Sequence, residues 1–324
     1  MIIVTGGAGF IGSAIVWKLN EMGIEDIIIV DHLGESEKWK NLVGLKYLDI
    51  FHKDEFLEII NENSFGYEID TIFHLGACSA TTEKDADYLL YNNFKYTKTL
   101  AEFSLENNVR FIYASSAATY GDGENGYEDN EEKLDLLKPL NMYGYSKHMF
   151  DLWVQKVNIA DKIVGIKYFN VFGPNEYHKG DMRSIVHKAF GQIKETGKVK
   201  LFKSYNENFE DGKQMRDFIY IKDAVDMTLH FYLYKDKNGL FNVGTGKART
   251  WVDLVSSIFI AMDLEPNIEF IEMPEILRGK YQYFTEAKIE KIRNAGFRKE
   301  ITSLENAVED YVKNYLMKEK GLSN

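Results

Sequence analysis

The sequence predicts a doubly wound α/β fold, a parallel sheet with helices on both faces, followed by a smaller C-terminal lobe. Three observations carry this expectation. Short β-branched runs alternate with longer stretches whose apolar residues recur every three or four positions, the pattern of βαβ units joined by right-handed crossovers. A glycine-rich segment, Thr5-Gly6-Gly7-Ala8-Gly9-Phe10-Ile11-Gly12, directly follows the first run and opens the first amphipathic stretch. The alternation then loosens after Gly173-Pro174, so a main domain over residues 1–170 and a lobe over most of 171–324 are expected.

Taken in order, strands are predicted over residues 2–5, 27–31, 46–48, 71–75, 110–115 and 163–170, where β-branched residues cluster. Between them, residues 11–22, 54–61, 85–106 and 143–157 carry helical periodicity. In the second part, helices are expected over 182–195, 222–234, 250–262 and 302–318, and the runs 217–220 and 240–243 can return to the main sheet. Two polar segments, 121–138 and 204–214, are rich in Gly, Asn and acids. They read as solvated surface loops, with a lid or an oligomer contact as the alternative.

Composition narrows the function classes. The chain of 324 residues carries 39 Lys and Arg against 50 Asp and Glu, a formal charge of -11, which argues against a general nucleic-acid or anionic-membrane binder while allowing a local basic pocket. The single cysteine, Cys78, makes neither an internal disulfide nor a zinc site, so no metal is expected and a reducing compartment fits. No apolar run approaches the roughly 20 residues of a membrane span, and Met1 leads into Ile2-Ile3-Val4 without a basic leader. The expectation is a cytoplasmic protein whose partners are small molecules or other proteins.

In its strand–turn–helix setting, the glycine segment fits a dinucleotide pyrophosphate. Gly6 permits the tight turn, Gly9 lets backbone N–H groups approach the phosphates, and Gly12 lets the helix pack on the sheet. Asp31 closes the second strand nineteen positions after Gly12, where a carboxylate accepts from ribose hydroxyls. The same carboxylate repels a 2′-phosphate, whereas Lys38 and Lys53 can neutralise one, so NADP and NAD both stay open. Gly76 and Ala77 leave room at the end of the fourth strand, and Cys78 reads as a packing residue. Asn92 and Asn93 interrupt a helical segment, which suggests a polar contact with sheet ends or cofactor, or else exposed side chains.

The reactive groups are read from two segments. Tyr143 and Lys147, four apart at the head of a helix, share one face. A nearby ammonium and the positive nicotinamide favour the phenolate of a tyrosine whose ordinary pKa is about 10. Ser116, at the end of the fifth strand, is placed to donate to a substrate oxygen, and no His–carboxylate pattern makes it a nucleophile. Ser115 reads as a buried structural hydroxyl.

With the glycine loop, Ser116, Tyr143 and Lys147 in order, the chain resembles the extended short-chain dehydrogenases/reductases, a family of nucleotide-sugar enzymes. Residues 168–174, 216–220 and 241–246 resemble that family's substrate-side segments. Within it, residues 113–121, 141–147 and Glu176-Tyr177-His178-Lys179-Gly180 resemble the branch that epimerises C6″ of ADP-heptoses for lipopolysaccharide core. The resemblance implies NADP held by Phe10, Ile11, Asp31, His32, Lys38, Lys53, Leu75, Gly76, Ala77, Cys78, Ser79, Asn92, Lys147, Val171 and Lys179. It also implies that Ser116, Asn170, Asp181, Lys188, Phe202, Lys203, Ser204, Tyr205, Arg216 and Tyr281 surround an ADP-heptose-type nucleotide sugar, and that the protein is a homo-oligomer, a pentamer.

The implied chemistry is internal redox. Tyr143 removes the C6″ hydroxyl proton as hydride leaves the carbon, the sugar turns, and hydride returns to the opposite face. Lys179 resembles the residue assigned the second acid/base task, with phosphate neutralisation as its alternative, and His178 reads as structural. Arg216 suits a bidentate diphosphate contact, or else pairs with Asp217 or another acid. A dehydratase needs an acid just after the strand-end hydroxyl, where Ala117-Ala118 stand. A 4-epimerase, a reductase and a non-catalytic NAD(P)-sensing protein are the other readings.

Overall fold

The computed structural model describes residues 1–278 and 281–323. Six strands in chain order, β1 (Ile2–Thr5), β2 (Ile27–Asp31), β3 (Asp49–His52), β4 (Thr71–His74), β5 (Arg110–Ser116) and β6 (Val164–Tyr168), join Gly239–Val243 in a seven-stranded sheet. Its order runs from Gly239–Val243 through β6, β5, β4, β1 and β2 to β3, all parallel. The chain reverses direction across the sheet between β1 and β4, the switch point where α/β sheets open a ligand crevice. β1, β2 and β4 are buried along their whole length, which is why their sequences are continuous apolar runs rather than alternating ones. One core cluster packs Ile2, Val4, Ala14, Ile15 and Phe73 against Ile219 and Val225. The other packs Ile3, Ile28 and Ile72 against Leu100 and Phe150 on the opposite face.

The third strand lies at 49–52, not 46–48. Gly44 turns the chain with φ +82°, and Leu48 N–H donates to Ile27 O at 2.7 Å just before the ladder with β2 begins. This edge strand is half exposed, so its apolar signal is weak. Residues 163–170 are likewise not one strand. Phe169 N–H donates to Val243 O, and the chain then leaves the main sheet as Asn170–Phe172, which pairs with Met215–Tyr220. Residues 217–220 therefore do not return to the main sheet, whereas 240–243 do. Met215–Tyr220 also pairs with Ala248–Thr250, and a further two-stranded sheet joins Val199–Phe202 to Ile268–Ile271.

Three predicted helices change shape. The 182–195 helix begins at Ile185, capped by Ser184, and the 302–318 helix runs as Leu304–Tyr311 before a π-turn over Val312–Leu316. The predicted helix 85–106 is Ala86–Leu89, a π-helical turn Leu90–Lys95, then Tyr96–Glu106. The wider turn brings Asn93 inward, fully buried. The polar segment 121–138 is not a solvated loop. Tyr127, Asp129, Leu134 and Leu137 are buried in it, and Glu131 is ion-paired to Lys291 while accepting from Leu240 N–H at 2.8 Å. Burial pushes the Asp129 carboxyl up to about 6, against the Asn242 N–H that stabilises its charge. Charged residues concealed these anchors because their partners lie over a hundred positions away.

Candidate active site

A cleft of about 1110 Å³ opens at the carboxyl ends of the strands. Gly6, Gly9, Phe10, Ile11 and Gly12 line one side. Gly6 has φ +67°, and a Cβ there would stand 2.7 Å from Gly76 N, so only glycine fits where the two loops meet. The helix Phe10–Glu21 starts at Gly9 with no side-chain cap, leaving its first N–H groups to an anion.

Asp31 is engaged by three groups of its own chain. Its Oδ2 accepts from Ala8 N–H at 2.9 Å, and its Oδ1 accepts from His32 N–H and from the Lys38 ammonium, both at 2.7 Å. The carboxylate thus braces the glycine loop and matches the Lys38 charge. Lys53 Nζ donates to Asn92 Oδ1 at 3.1 Å. Asp31, His32, Lys38, Lys53, Cys78 and Asn92 line an adjoining cavity of about 120 Å³. Leu75, Gly76, Ala77 and Ser79 line the main cleft, as do Asn170, Val171, His178 and Lys179. The buried Asn93 amide holds this edge, donating to Cys78 O and Ser146 Oγ and accepting from Cys78 N–H at 2.9 to 3.0 Å.

Ser116, Tyr143 and Lys147 line the same cleft. The helix Met142–Lys156 begins on Asn141, whose side chain accepts from Gly144 N–H at 2.8 Å, and this places Tyr143 and Lys147 at its cleft end. Burial pushes the Tyr143 phenol above its ordinary value, while a hydrogen bond with Ser116 pulls it down. Burial also pushes the Lys147 ammonium down to about 8, opposed by Asp151. Burial and Ser116 are thus the strongest influences on the phenol from the chain itself.

Lys179 rides on the turn Tyr177–Met182, with Nζ 5.4 Å from the centre of the Phe10 ring. Burial lowers its ammonium and Glu176 opposes the shift. Glu176 is itself buried and accepts from Ser184 Oγ at 2.6 Å and from Tyr311 OH at 3.0 Å, which fixes the turn. His178 is pushed down to about 4 by burial and by the neighbouring Lys179 and Lys38, and so is neutral at pH 7.

The substrate-side residues divide. Asp181 is exposed, and Lys188 Nζ donates to its backbone oxygen. Lys203 is paired with Glu272 at 2.7 Å, Tyr205 donates to Glu272 and lies under the Arg278 guanidinium, and Ser204 N–H donates to Asp211. Neither these residues nor Phe202 and Lys188 line the cleft. Arg216 is buried between the Trp251 and Tyr281 rings and donates to the Met215 and Gln282 carbonyls. It is not paired with Asp217, whose carboxylate is filled by Thr245, Gly246 and Ala287.

Sequence reading missed Asn41, Gln282 and Thr285. Asn41 donates to Ala8 O and Asn175 O, both at 3.0 Å, linking the glycine loop to the Lys179 turn, while Gln282 and Thr285 line the cleft. No spacing signal marks any of the three, because each reaches the site over a long sequence separation.

The description NAD dependent epimerase/dehydratase family matches residues 2–244. The chain is 57% identical over 316 residues to an ADP-L-glycero-D-manno-heptose-6-epimerase of Nitratidesulfovibrio vulgaris, with 98% of each covered. It is 54% identical over 329 residues to one from Fusobacterium nucleatum, covering 98% of this chain and 99% of the relative. The crystal structure of the Helicobacter pylori ADP-L-glycero-D-manno-heptose-6-epimerase superposes with a TM-score of 0.80 at 27% identity, over 97% of this chain and 95% of that one.

Proposed function

Because the chain belongs to the NAD-dependent epimerase/dehydratase family, we propose that it is an isomerase that inverts C6″ of ADP-D-glycero-D-manno-heptose to ADP-L-glycero-D-manno-heptose. In this reading it uses bound NADP, supplies heptose for lipopolysaccharide core and works as a homo-oligomer. The observation that carries the proposal is the meeting of Ser116, Tyr143 and Lys147 with Lys179 along one cleft that begins at the glycine loop.

The residues present fit a dinucleotide. The loop keeps its tight turn only with glycine at Gly6 and Gly12, where a Cβ would strike the backbone of Gly76 and of Gly6, and the uncapped helix start lines the cleft. Gly6, Gly9, Phe10, Ile11 and Gly12 would hold the pyrophosphate, and Leu75 to Ser79 with Val171 would flank the rest. Lys53, with Lys38 and His32 at the smaller cavity, supports a 2′-phosphate and hence NADP over NAD. A nicotinamide dinucleotide held there would supply reversible hydride acceptance.

The chain's own groups manage protons and orientation. Ser116 donates to the C6″ oxygen and fixes it beside Tyr143, whose phenolate takes the hydroxyl proton; once the sugar has turned, the oxygen takes a proton from Lys179, and solvent resets both groups between turnovers. Lys147 holds a positive charge behind that exchange. Lys179 reaches the cleft from the second lobe, and its lowered ammonium suits proton transfer on the opposite face of the sugar. Alanines 117 and 118 offer no acid for elimination.

Arg216 fits the diphosphate. Among the described residues no carboxylate is paired with it, so its remaining N–H groups are left for an anion. Arg216→Lys is expected to raise KM for the nucleotide sugar by roughly 10-fold or more, with kcat nearly unchanged, as measured by steady-state kinetics. An unchanged KM would assign Arg216 to packing alone.

The function is tested by incubating the purified protein with ADP-D-glycero-D-manno-heptose and no added cofactor, following the C6″ configuration by NMR. Inversion to the L-glycero epimer is the expected result. A static spectrum from protein shown to carry NADP overturns the proposal.

A further inference from the structure

Beneath the cleft, the helix Met142–Lys156 carries a further ionisable group, Asp151, that does not line it. Asp151 lies one turn beyond Lys147 and two beyond Tyr143, and its carboxylate is fully buried. Oδ2 accepts from Lys167 Nζ at 2.9 Å and from Ser115 Oγ at 2.7 Å, and Oδ1 accepts from Tyr113 OH at 3.0 Å. Lys167, on β6, also donates to Thr119 Oγ1 at 2.5 Å, and Thr119 in turn donates to Ser116 O at 2.8 Å. An unbroken chain of hydrogen bonds therefore runs from the helix of Tyr143 and Lys147 to the backbone of Ser116.

Stability alone accounts poorly for this pair. Two fully buried charges lose their hydration, and apolar side chains of similar volume commonly hold a core as well or better. What a buried, fully hydrogen-bonded pair supplies is direction: each of its bonds has one good geometry, whereas apolar packing tolerates small slips. Slips would matter here. The helix already presses on the turn after β5, since a Cβ on Gly144 would stand 2.8 Å from Ala118 O. Ser116 and Tyr143 must also meet one sugar oxygen together.

We propose that the buried Asp151–Lys167 pair is the positioning element of the reaction centre, registering the Tyr143 helix against the Ser116 strand end through Ser115 and Thr119. The proposal rests on the reading that Tyr143 and Ser116 act on the sugar. Neither Asp151 nor Lys167 touches the cleft, so both act through the residues they hold.

The test compares Thr119→Val, Thr119→Ser and the double variant Asp151→Asn with Lys167→Met, which removes both charges together. Thr119→Val should lower kcat about 10-fold with KM nearly unchanged, and should also lower the melting temperature because the buried Lys167 ammonium loses a partner; Thr119→Ser should restore both. The double variant should remain folded and lose kcat by about 10²-fold. Should it not fold, the Thr119 pair decides alone. Wild-type kcat in Thr119→Val, or a loss that Thr119→Ser does not rescue, overturns the proposal. Tyr143→Phe serves as the control. If it is inactive while Thr119→Val is fully active, the positioning role alone falls; if Tyr143→Phe turns over normally, the catalytic reading falls first and takes this role with it.

Discussion

Tyr143→Phe is expected to lower turnover of the nucleotide sugar by about 10²- to 10⁴-fold, while the protein keeps its cofactor and its melting temperature. The substitution removes one oxygen and keeps the ring that packs at the head of the helix, so the change isolates the proton acceptor. Burial holds the phenol above its ordinary range and Ser116 alone pulls it down among the neighbours that act most strongly. A positive charge brought beside the phenol would favour its ionised form. The measurement is kcat by NMR of C6″, with bound nucleotide quantified from the same preparation. Retention of even a third of the parent kcat would move the proton-accepting role to another group, and Lys179 is the candidate already lining the cleft. Loss of the bound nucleotide along with activity would instead make Tyr143 a binding residue.

What could be read from the sequence follows from the range of the interactions involved. The glycine loop, Asp31, Ser116, Tyr143 and Lys147 were legible because each depends on neighbours within one strand–turn–helix unit, where spacing carries the geometry. β3 was misplaced by three residues because an edge strand buries little and shows little periodicity. Asn93 was visible as an oddity in a helix, but its inward turn needs one extra residue in the helical repeat, and nothing in the spacing announces a π-turn. The anchoring of 121–138 and the stacking of Arg216 between two rings were hidden for another reason. Glu131 meets Lys291, and Arg216 meets Trp251, Tyr281 and Gln282, pairings that only the finished topology brings together. Charge patterning suggested exposure in the first case, and packing decided otherwise; in the second it offered a pair with Asp217 only as the alternative to a diphosphate contact, and Asp217 is engaged elsewhere.

Gly12→Ala is expected to destabilise the folded state strongly. A Cβ at position 12 would stand 2.1 Å from Gly6 O and 2.7 Å from Gly6 C, both backbone atoms that no rotamer change can move. Relief requires the loop to shift, and the loop is held from three directions. Gly6 O already accepts from Gly9 N–H at 2.9 Å, Asp31 Oδ2 holds Ala8 N–H at 2.9 Å, and Asn41 holds Ala8 O at 3.0 Å. On its other side a Cβ on Gly6 would stand 2.7 Å from Gly76 N, so the β4 loop leaves little room for Gly6 to retreat. Overpacking at such a rigid contact costs on the order of 3 kcal/mol, which lowers the melting temperature by roughly 5 °C or more. The same shift turns the first N–H groups of the helix Phe10–Glu21 away from the pyrophosphate, so the fraction of purified protein carrying nicotinamide dinucleotide should fall by about 10-fold or more, as expected when several charge-assisted hydrogen bonds weaken together. Thermal melting and nucleotide content of the purified variant read the two effects separately. A variant that melts with the parent protein would show that the loop yields despite its three ties, and one that melts early but keeps its nucleotide would separate the packing of this helix from the binding of the phosphates.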